Sequence, residues 1–521
     1  MRLPNLIAQS TQFPDIRGDI PEIEITGISF DSRCVEPGHI FFALEGGNVD
    51  AHQFIPHAIQ NGALAVVGRK VCDPKSVNYF QVENPRKAMA YVSAAFYDHP
   101  ARELTVIGVT GTDGKTTTVN LIFRILLECG IRAGMISTVN AVIGEETIDT
   151  GFHVTTPESP MIQQLLRKMV DAGITHVVLE ATSHGLDQFR VDACEFDIGV
   201  VTNITHEHLD YHGSYDQYFN AKFKLFNELM STSMKEIGNY RCAVFNRDDI
   251  SFKKIAKKLE NPLYSKIKNI TYGVKPDSNI FADQIIMGAD GLSFQVHLKN
   301  IIENVKSPLI GDYNAHNILA AISATAVGLN LDNGQVVKGV SKMTDVPGRM
   351  ERVDLGQDFL AFVDFAHTPN ALKVTLETSR KLTSQRVIAI FGSAGLRDRE
   401  KRKLMAAVSS DLADITILTA EDPRTEKLDD ILADMAAEAK RKGAVEGENF
   451  LVVPDRGEAI REGVNLARSG DLVIACGKGH EQSMCFGEME YPWDDRIAMR
   501  STLSVRLGVE GPAMPYLPTS D

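Results

Sequence analysis

No apolar run in this 521-residue chain approaches the ~18–20 residues of a membrane span, which excludes helical insertion in a bilayer. No signal-peptide core follows Met1-Arg2-Leu3-Pro4-Asn5, so export is not expected. The seven cysteines (Cys34, Cys72, Cys129, Cys194, Cys242, Cys476, Cys485) hold no C-x-x-C pair. Their odd number and irregular spacing exclude a disulfide framework and predict a reduced, cytoplasmic protein. Positive charge is scarce: 54 Lys+Arg against 68 Asp+Glu leave a net charge of −14, which argues against a nucleic-acid partner. Internal repeats and low-complexity segments are missing too, so the chain is no solenoid. What remains, at 44% hydrophobic and 23% charged, is a globular protein with ample core and room for about three domains.

The most informative stretch is Thr110-Gly111-Thr112-Asp113-Gly114-Lys115-Thr116, followed by Thr117. A β-branched run at 104–109 precedes it and reads as a buried strand. Val119, Ile122, Phe123, Leu126 and Leu127 then recur at helical spacing up to Gly130. Strand, glycine loop, Lys-Thr and helix form a cradle for a polyphosphate. Backbone N–H groups and the helix N-terminus face the anion, the lysine neutralises charge, and the threonine hydroxyl ligates Mg²⁺. The strict pattern has a glycine where Val109 stands, yet Lys115 and Thr116 favour nucleotide binding over a bare turn.

Residues 1–99 precede this loop and read as a small domain. Strands are expected over 23–28, 40–44 and 63–67, with Asp31-Ser32-Arg33 and Gly46-Gly47-Asn48-Val49-Asp50-Ala51-His52 as loops between them. From pattern alone, turning the chain is the simpler account of both. Further on, His153-Val154-Thr155-Thr156-Pro157 ends a segment, and the apolar strand His176-Val177-Val178-Leu179-Glu180 ends in a carboxylate suited to a shared Mg²⁺. A polar loop through Thr182 and Gln188 to Arg190 follows it. The strand at 198–201 runs into His206-Glu207-His208-Leu209-Asp210. A zinc-protease motif would need histidine where Asp210 stands, so one histidine assisting Mg²⁺ near Glu180 is the better reading. Ser214 and Gln217 have capping-box spacing for the next helix. Lys222 lies one turn from Tyr218 and Phe226, where it either snorkels to solvent or is buried as a neutral amine able to react with CO₂.

Asn246-Arg247-Asp248-Asp249 superficially resembles a guanine-reading loop, but arginine replaces the usual lysine. A lysine-rich, solvated helix is expected over 252–268, and an apolar helix over 318–329 after Asn314 and Asn317. In the last third, four apolar strands each run into a polar motif. These are Ala366-His367-Thr368-Pro369, Gly392-Ser393-Ala394-Gly395-Leu396-Arg397, Glu421-Asp422-Pro423-Arg424 and Gly477-Lys478-Gly479-His480-Glu481. That pattern predicts a doubly wound α/β domain with ligands at the carboxyl ends of its strands. Two arginines, a glutamate and a Gly-Lys-Gly loop there suit a zwitterionic amino acid.

Gly-Thr-Asp-Gly-Lys-Thr-Thr, Thr-Thr-Pro, Ser-His-Gly-Leu, His-Leu-Asp-Tyr-His-Gly, Gly-Arg-Met-Glu, Asp-Phe-Ala-His-Thr-Pro and Gly-Lys-Gly-His-Glu stand in this order along the chain. With them, the chain resembles the Mur ligase family of peptidoglycan synthesis over nearly its whole length, and its UDP-N-acetylmuramoyl-tripeptide synthetases most of all. The resemblance implies an α/β fold of three domains. They are a small α/β uridine-binding domain at 1–99, a central phosphate-loop ATPase with a mostly parallel sheet at 100–345, and a Rossmann-like amino-acid domain at 346–521. It implies a cytoplasmic monomer acting on ATP, UDP-N-acetylmuramoyl-L-alanyl-D-glutamate and a diamino acid, meso-diaminopimelate before lysine or ornithine, through an acyl phosphate.

The resemblance also carries roles onto matching residues. Gly111, Thr112, Asp113, Gly114, Lys115, Thr116 and Thr117 would hold the ATP phosphates, with Thr116, Glu180, His208 and a carbamylated Lys222 on Mg²⁺. Asn314 and Asn317 would lie by the adenine, and Arg349 and Asp364 by the ribose and phosphates. Ser32 would meet the uridine; Thr155, Thr156, Thr182, Gln188 and Arg190 the muramoyl-dipeptide; Arg397, Asp422, Pro423, Arg424, Gly477 and Glu481 the amino acid. Lys115, Glu180, His208 and Lys222 are the expected catalytic set. The chain departs from the family at Asp113, where asparagine is usual, at Thr182, where serine is, and at Glu421-Asp422, where Asp-Asn is usual in diaminopimelate enzymes. Folylpolyglutamate synthetases share the last two domains but lack a leading Asp-Ser-Arg domain. A non-catalytic nucleotide-binding homologue would not need all four catalytic residues.

Overall fold

The computed structural model describes residues 1–10, 20–46, 49–71, 77–148, 156–205 and 207–519. Thr155, His206, Cys72 and the Gly47-Asn48 pair lie outside the described residues. Two compact units emerge: Met1–Asp283 with Val296–Glu303 and His316–Val340, and Gln284–Gln295 with Asn304–Ala315 and Ser341–Asp521.

The first unit opens with four parallel strands in chain order, β1 (Gly27–Ser29), β2 (His39–Ala43), β3 (Ala65–Gly68) and β4 (Asn78–Gln81). A parallel sheet is covered on both faces, so its strands are apolar throughout. Ile40 and Phe42 pack with Leu3, Leu6, Met89 and Val92, while Phe41 and Ala43 pack with Ile55 and Ala58. The strand expected over 23–28 is confined to β1. Ile23 and Ile25 instead hydrogen-bond the N-terminal segment, through Leu3 N to Ile23 O and Ile25 N to Met1 O.

The same unit holds the larger sheet. Its strands are β5 (Thr105–Thr110), β6 (Ala133–Ile136), β7 (Ala141–Ile143), β8 (Glu146–Ile148), β9 (His176–Glu180), β10 (Ile198–Val201), β11 (Cys242–Asn246) and β12 (Lys268–Gly273). They run in the order β8-β7-β6-β9-β5-β10-β11-β12, parallel from β6 to β12, with β7 and β8 antiparallel at the edge. β5 lies between β9 and β10, so the connections leaving it and its neighbours diverge beside the loop at Gly111. Such a switch point opens a crevice at the carboxyl end of the sheet.

Two helices differ from expectation. The lysine-rich helix is only Phe252–Leu259, and the chain turns at Pro262–Tyr264 before β12. Its lysines are not merely solvated, since Lys254 lies 4.2 Å from the Phe219 ring centroid and Lys258 lies 4.7 Å from that of Phe223. Asn314–Ile322 is α-helical but widens into π turns over Ser323–Gly328, where Thr325 Oγ1 donates to Ala321 O at 2.7 Å. Strands β13 (Ile280–Gly288), β14 (Gly291–Leu298) and β15 (Ile301–Ser307) follow β12.

The second unit is built on β16 (Glu351–Arg352), β17 (Leu360–Asp364), β18 (Val387–Phe391), β19 (Ile415–Leu418), β20 (Phe450–Val452) and β21 (Leu472–Cys476), in the order β16-β17-β21-β18-β19-β20. All pairs but β16 with β17 are parallel. The four expected strands are present. β16 and β20 add two short ones that carry too few apolar residues to read from pattern. Apolar clusters cover both faces, one around Ile388, Ile390 and Trp493, the other around Ala389, Phe391 and Met405. Among the described residues, no helix is long and apolar enough to cross a membrane, and six cysteines are free thiols.

One buried ion pair braces the first unit. Lys235 Nζ lies 2.6 Å from Asp197 Oδ2 and also donates to Leu104 O, with both side chains fully buried. Replacing Lys235 by methionine strands the carboxylate, and urea denaturation should register a loss of about 3–5 kcal/mol. The double replacement Lys235→Met, Asp197→Leu should recover much of it.

Candidate active site

The loop after β5 is held from outside by backbone and side chains. Thr112 N donates to Asn203 O at 2.8 Å and Asp113 N to Asn203 Oδ1 at 2.9 Å. Thr202 Oγ1 donates to Asp113 O at 2.6 Å, and Thr112 Oγ1 is 3.0 Å from the Tyr218 hydroxyl. Gly114 has φ +79, and a Cβ there would run into Asn317 Oδ1, so only glycine serves. The helix Lys115–Glu128 starts at once, and its first N–H groups, unpaired within the helix, make the anion site. Lys115 Nζ bends back to Thr112 O at 2.7 Å, which holds its charge over the loop.

Beneath the loop sits Lys222, 2% exposed. Its Nζ donates to Gly111 O at 2.5 Å and lies 4.6 Å from the Tyr218 ring centroid. Among the described residues it has no ion pair, so it does not snorkel to solvent. Burial drives its pKa well below the usual lysine range and the charge of Lys115 adds to this, against the weaker pull of Glu207, Asp113 and Glu180. Thr116 Oγ1 donates to Glu180 Oε2 at 3.0 Å, and the Thr138 N–H donates to the same oxygen at 3.1 Å. Hydroxyl and carboxylate oxygens at the mouth of the cradle are donors of the kind Mg²⁺ takes. His208 has φ +54 and stands edge-on to His184 at 4.9 Å, 3.8 Å from Glu207.

A second group gathers Thr156, Thr182, Gln188 and Arg190. The Thr156 and Thr182 hydroxyls are 2.9 Å apart. Arg190 donates to Thr156 O at 2.8 Å, to Gln188 Oε1 at 2.8 Å, and pairs with Glu158 at 3.0 Å. Glu158 also meets Arg86 at 3.4 Å. In the N-terminal sheet, Ser32 Oγ is 3.1 Å from His57 Nδ1, and Asn61 donates to Ser32 O. Nearby, Glu45, Asp50 and His52 stand close enough to share a metal, but each already has a partner: Arg69 on Glu45, Lys70 and His52 on Asp50.

In the second unit, Asp422 and Glu481 share one buried cation, Lys478, at 3.0 and 2.5 Å. Burial opposes the lysine's charge, yet Glu481 and Asp422 outweigh it and raise its pKa. Arg424 has no ion pair among the described residues; its backbone, at φ +55, bonds Cys485 O. The neighbouring acid Asp422 is paired with Lys478 instead. Glu421 is buried against Gly477, at φ +112, where a Cβ would strike Glu421 Oε2. Burial pushes the Glu421 pKa up to about 7. Arg397 is exposed and Pro423 buried. Asp364 accepts from Met350 N, Ala366 N and Thr375 Oγ1, and Arg349 lies 4.5 Å from the Phe365 ring centroid. Asn314 Nδ2 donates to Ile310 O at 2.8 Å.

Sequence reasoning missed Asn203, Tyr218, Glu158 and Glu421. Only Tyr218 left a signal, since it falls four residues before Lys222. The others act through contacts between segments distant in sequence.

Three stretches match family models: 24–103 a model described as Mur ligase family, catalytic domain; 109–325 as Mur ligase middle domain; and 348–479 as Mur ligase, glutamate ligase domain. A UDP-N-acetylmuramoyl-L-alanyl-D-glutamate–2,6-diaminopimelate ligase of Geobacillus thermodenitrificans (strain NG80-2) is 38% identical over 97% of this chain and 100% of its own. A UDP-N-acetylmuramyl-tripeptide synthetase of Roseiflexus sp. (strain RS-1) is 40% identical over 94% of this chain and 96% of its own. A solved UDP-N-acetylmuramoyl-L-alanyl-D-glutamate–2,6-diaminopimelate ligase superposes with TM-score 0.66 and 31% identity, covering 95% of this chain and 97% of that one.

The lowered pKa of Lys222 has a consequence for stability. A neutral amine in the folded state faces an ammonium in the unfolded chain, so the penalty is full below the folded pKa and fades as pH rises toward the ordinary lysine value of 10.5. In CO₂-free buffer, Lys222→Met should therefore stabilise the protein at pH 7 by on the order of 1–3 kcal/mol. Urea unfolding at pH 7 and pH 10 measures it, and the gain should shrink at the higher pH.

Proposed function

This chain belongs to the Mur ligase family, and from that premise we propose that it adds meso-diaminopimelate to UDP-N-acetylmuramoyl-L-alanyl-D-glutamate at the expense of ATP. The observation that carries this reading is a desolvated lysine, Lys222, bonded to the phosphate loop at Gly111. A plain nucleotide-binding module has no need of a group so costly to bury.

The chemistry has two steps. An oxygen of the D-glutamyl carboxylate attacks the γ-phosphorus of ATP, giving an acyl phosphate and ADP. The amine of diaminopimelate then attacks the acyl carbon; inorganic phosphate leaves with the former carboxylate oxygen, and the amine loses a proton. Gly111 to Thr117 cradle the phosphates through backbone N–H groups, and Lys115 offsets charge that builds on them. Thr116, Glu180 and His208 would hold Mg²⁺, which when bound polarises the phosphoryl oxygens. Lys222, neutral in its apolar seat, adds CO₂ through a new N–C bond and gives up a proton to solvent, becoming a carbamate whose oxygens would hold a second Mg²⁺.

The three family segments support a division into 1–99 for the uridine, 100–345 for ATP and 346–521 for the amino acid. Ser32 meets the uridine. Thr155, Thr156, Thr182, Gln188 and Arg190 hold the muramoyl-dipeptide, while Asn314, Asn317, Arg349 and Asp364 serve the nucleoside. The enzyme acts as a cytoplasmic monomer on these small molecules. Arg397, Asp422, Pro423, Arg424, Gly477 and Glu481 receive the diamino acid. Diaminopimelate differs from lysine by a second carboxylate, and Arg424, with no ion pair among the described residues, supplies a planar cation for it.

Amide formation assayed with meso-diaminopimelate, lysine and ornithine tests this. The highest kcat/KM should belong to diaminopimelate, and Arg424→Ala should reduce it selectively, by about 2–5 kcal/mol. A higher kcat/KM for lysine or ornithine refutes the choice of amino acid. No ATP turnover with any of them refutes the ligase.

A further inference from the structure

We infer that Arg456 is a positioning residue that fixes the spacing between the two loops receiving the incoming amino acid, an inference that rests on the amino-acid-binding role of the second unit. One loop begins at Glu421 after β19, the other at Gly477 after β21. These strands are not neighbours, because β18 lies between them. Both pair with β18, whose paired residues reach only Leu418 on one side and Ala475 on the other, so the loops beyond them need a separate tie.

Arg456 spans the gap. Its fully buried guanidinium donates from Nη1 to Ala420 O at 3.1 Å and from Nη2 to Cys476 O at 2.8 Å. Ala420 and Cys476 are the residues immediately before Glu421 and Gly477. The fork is aimed by Asp495, which accepts from Nε and Nη2 at 2.7 Å each and also takes the Trp493 indole N–H at 2.8 Å. Asp455 caps the helix Arg456–Leu466 by accepting from Glu458 N, which fixes where the side chain starts. Five rigid donors in a plane can hold two carbonyls and a carboxylate at once; the single ammonium of lysine cannot keep that geometry. Asp422, Arg424, Gly477, Lys478 and Glu481 follow these carbonyls in the chain. Arg456 makes no hydrogen bond to their side chains among the described residues; it holds the loops through their backbone, and its charge also acts on buried Glu421.

A control of the same chemistry stands at the other end of the sheet. Arg386 and Asp471 directly precede β18 and β21 and pair at 2.6 Å, with Asp471 also accepting from Arg386 N. Breaking that pair weakens the domain without touching the loops.

The test is steady-state kinetics on full-length enzyme for all three substrates, with thermal melting of each variant. Arg456→Lys and Asp495→Asn should raise KM for meso-diaminopimelate by about tenfold or more and leave KM for ATP and for UDP-N-acetylmuramoyl-L-alanyl-D-glutamate within about twofold. The preference for diaminopimelate over lysine should narrow in both. Asp471→Asn should lower Tm yet leave every KM within about twofold. Should both Arg456 and Asp495 variants fail to fold, Trp493→Phe, which removes the indole donor to Asp495 together with one ring of core packing, should raise the diaminopimelate KM by about two- to threefold. A diaminopimelate KM unchanged in Arg456→Lys, or in Trp493→Phe where that variant stands in, overturns the inference. So does a parallel rise of all three KM values matched by Asp471→Asn. Wild-type enzyme that uses no diamino acid overturns the functional reading and this inference with it.

Discussion

A lysine inside the protein, bonded to one carbonyl and one aromatic face, is the constraint to which the first unit is fitted. Lys222 reaches Gly111 O from a helix whose inner face is Tyr218, Phe219, Phe223 and Phe226. That face buries enough apolar surface to keep the helix in place despite the amine, since each such side chain is worth about 1.5–3 kcal/mol when buried. The same helix supplies the Tyr218 hydroxyl that fixes Thr112. The phosphate loop is thus shaped from below by the helix that carries the unpaired amine, and from the side by Thr202 and Asn203 after β10. Burying the amine of Lys222 without an ion pair among the described residues costs stability.

The second unit solves a different electrostatic problem. Asp422 and Glu481 would repel each other and any carboxylate nearby; Lys478 between them offsets one of the two charges. Glu421, pushed up to about 7 by burial, carries only part of a negative charge at neutral pH. Arg424 is then left with no carboxylate bonded to it among the described residues. Of the two adjacent acids in Glu421-Asp422, burial raises the first toward neutrality and Lys478 pairs with the second.

How much of this was legible follows from the range of the interactions. The cradle, the Glu180 strand end and the four strand-loop motifs of the last third are local patterns, and the sequence carried them. Lys222 was readable only as a choice between solvent and burial, because its carbonyl partner is 111 residues away. The short strands β16 and β20 escaped because two or three residues hold no periodicity. The helix over 252–268 was drawn too long because charge pattern outweighed Pro262. Arg456 escaped altogether: a lone arginine in a polar helix start looks like solvent exposure until Ala420 and Cys476 are seen beside it.

The claim on which the account turns is that the dry amine of Lys222 takes up CO₂ and serves as a carbamate. The most direct measurement is ¹³C NMR of the enzyme equilibrated with ¹³C-bicarbonate, alongside ATP turnover in buffer stripped of CO₂. One protein-bound carbamate signal, absent from Lys222→Met, with turnover that falls in stripped buffer and returns with bicarbonate, is the expected result. Full turnover without CO₂ and no carbamate signal would contradict it.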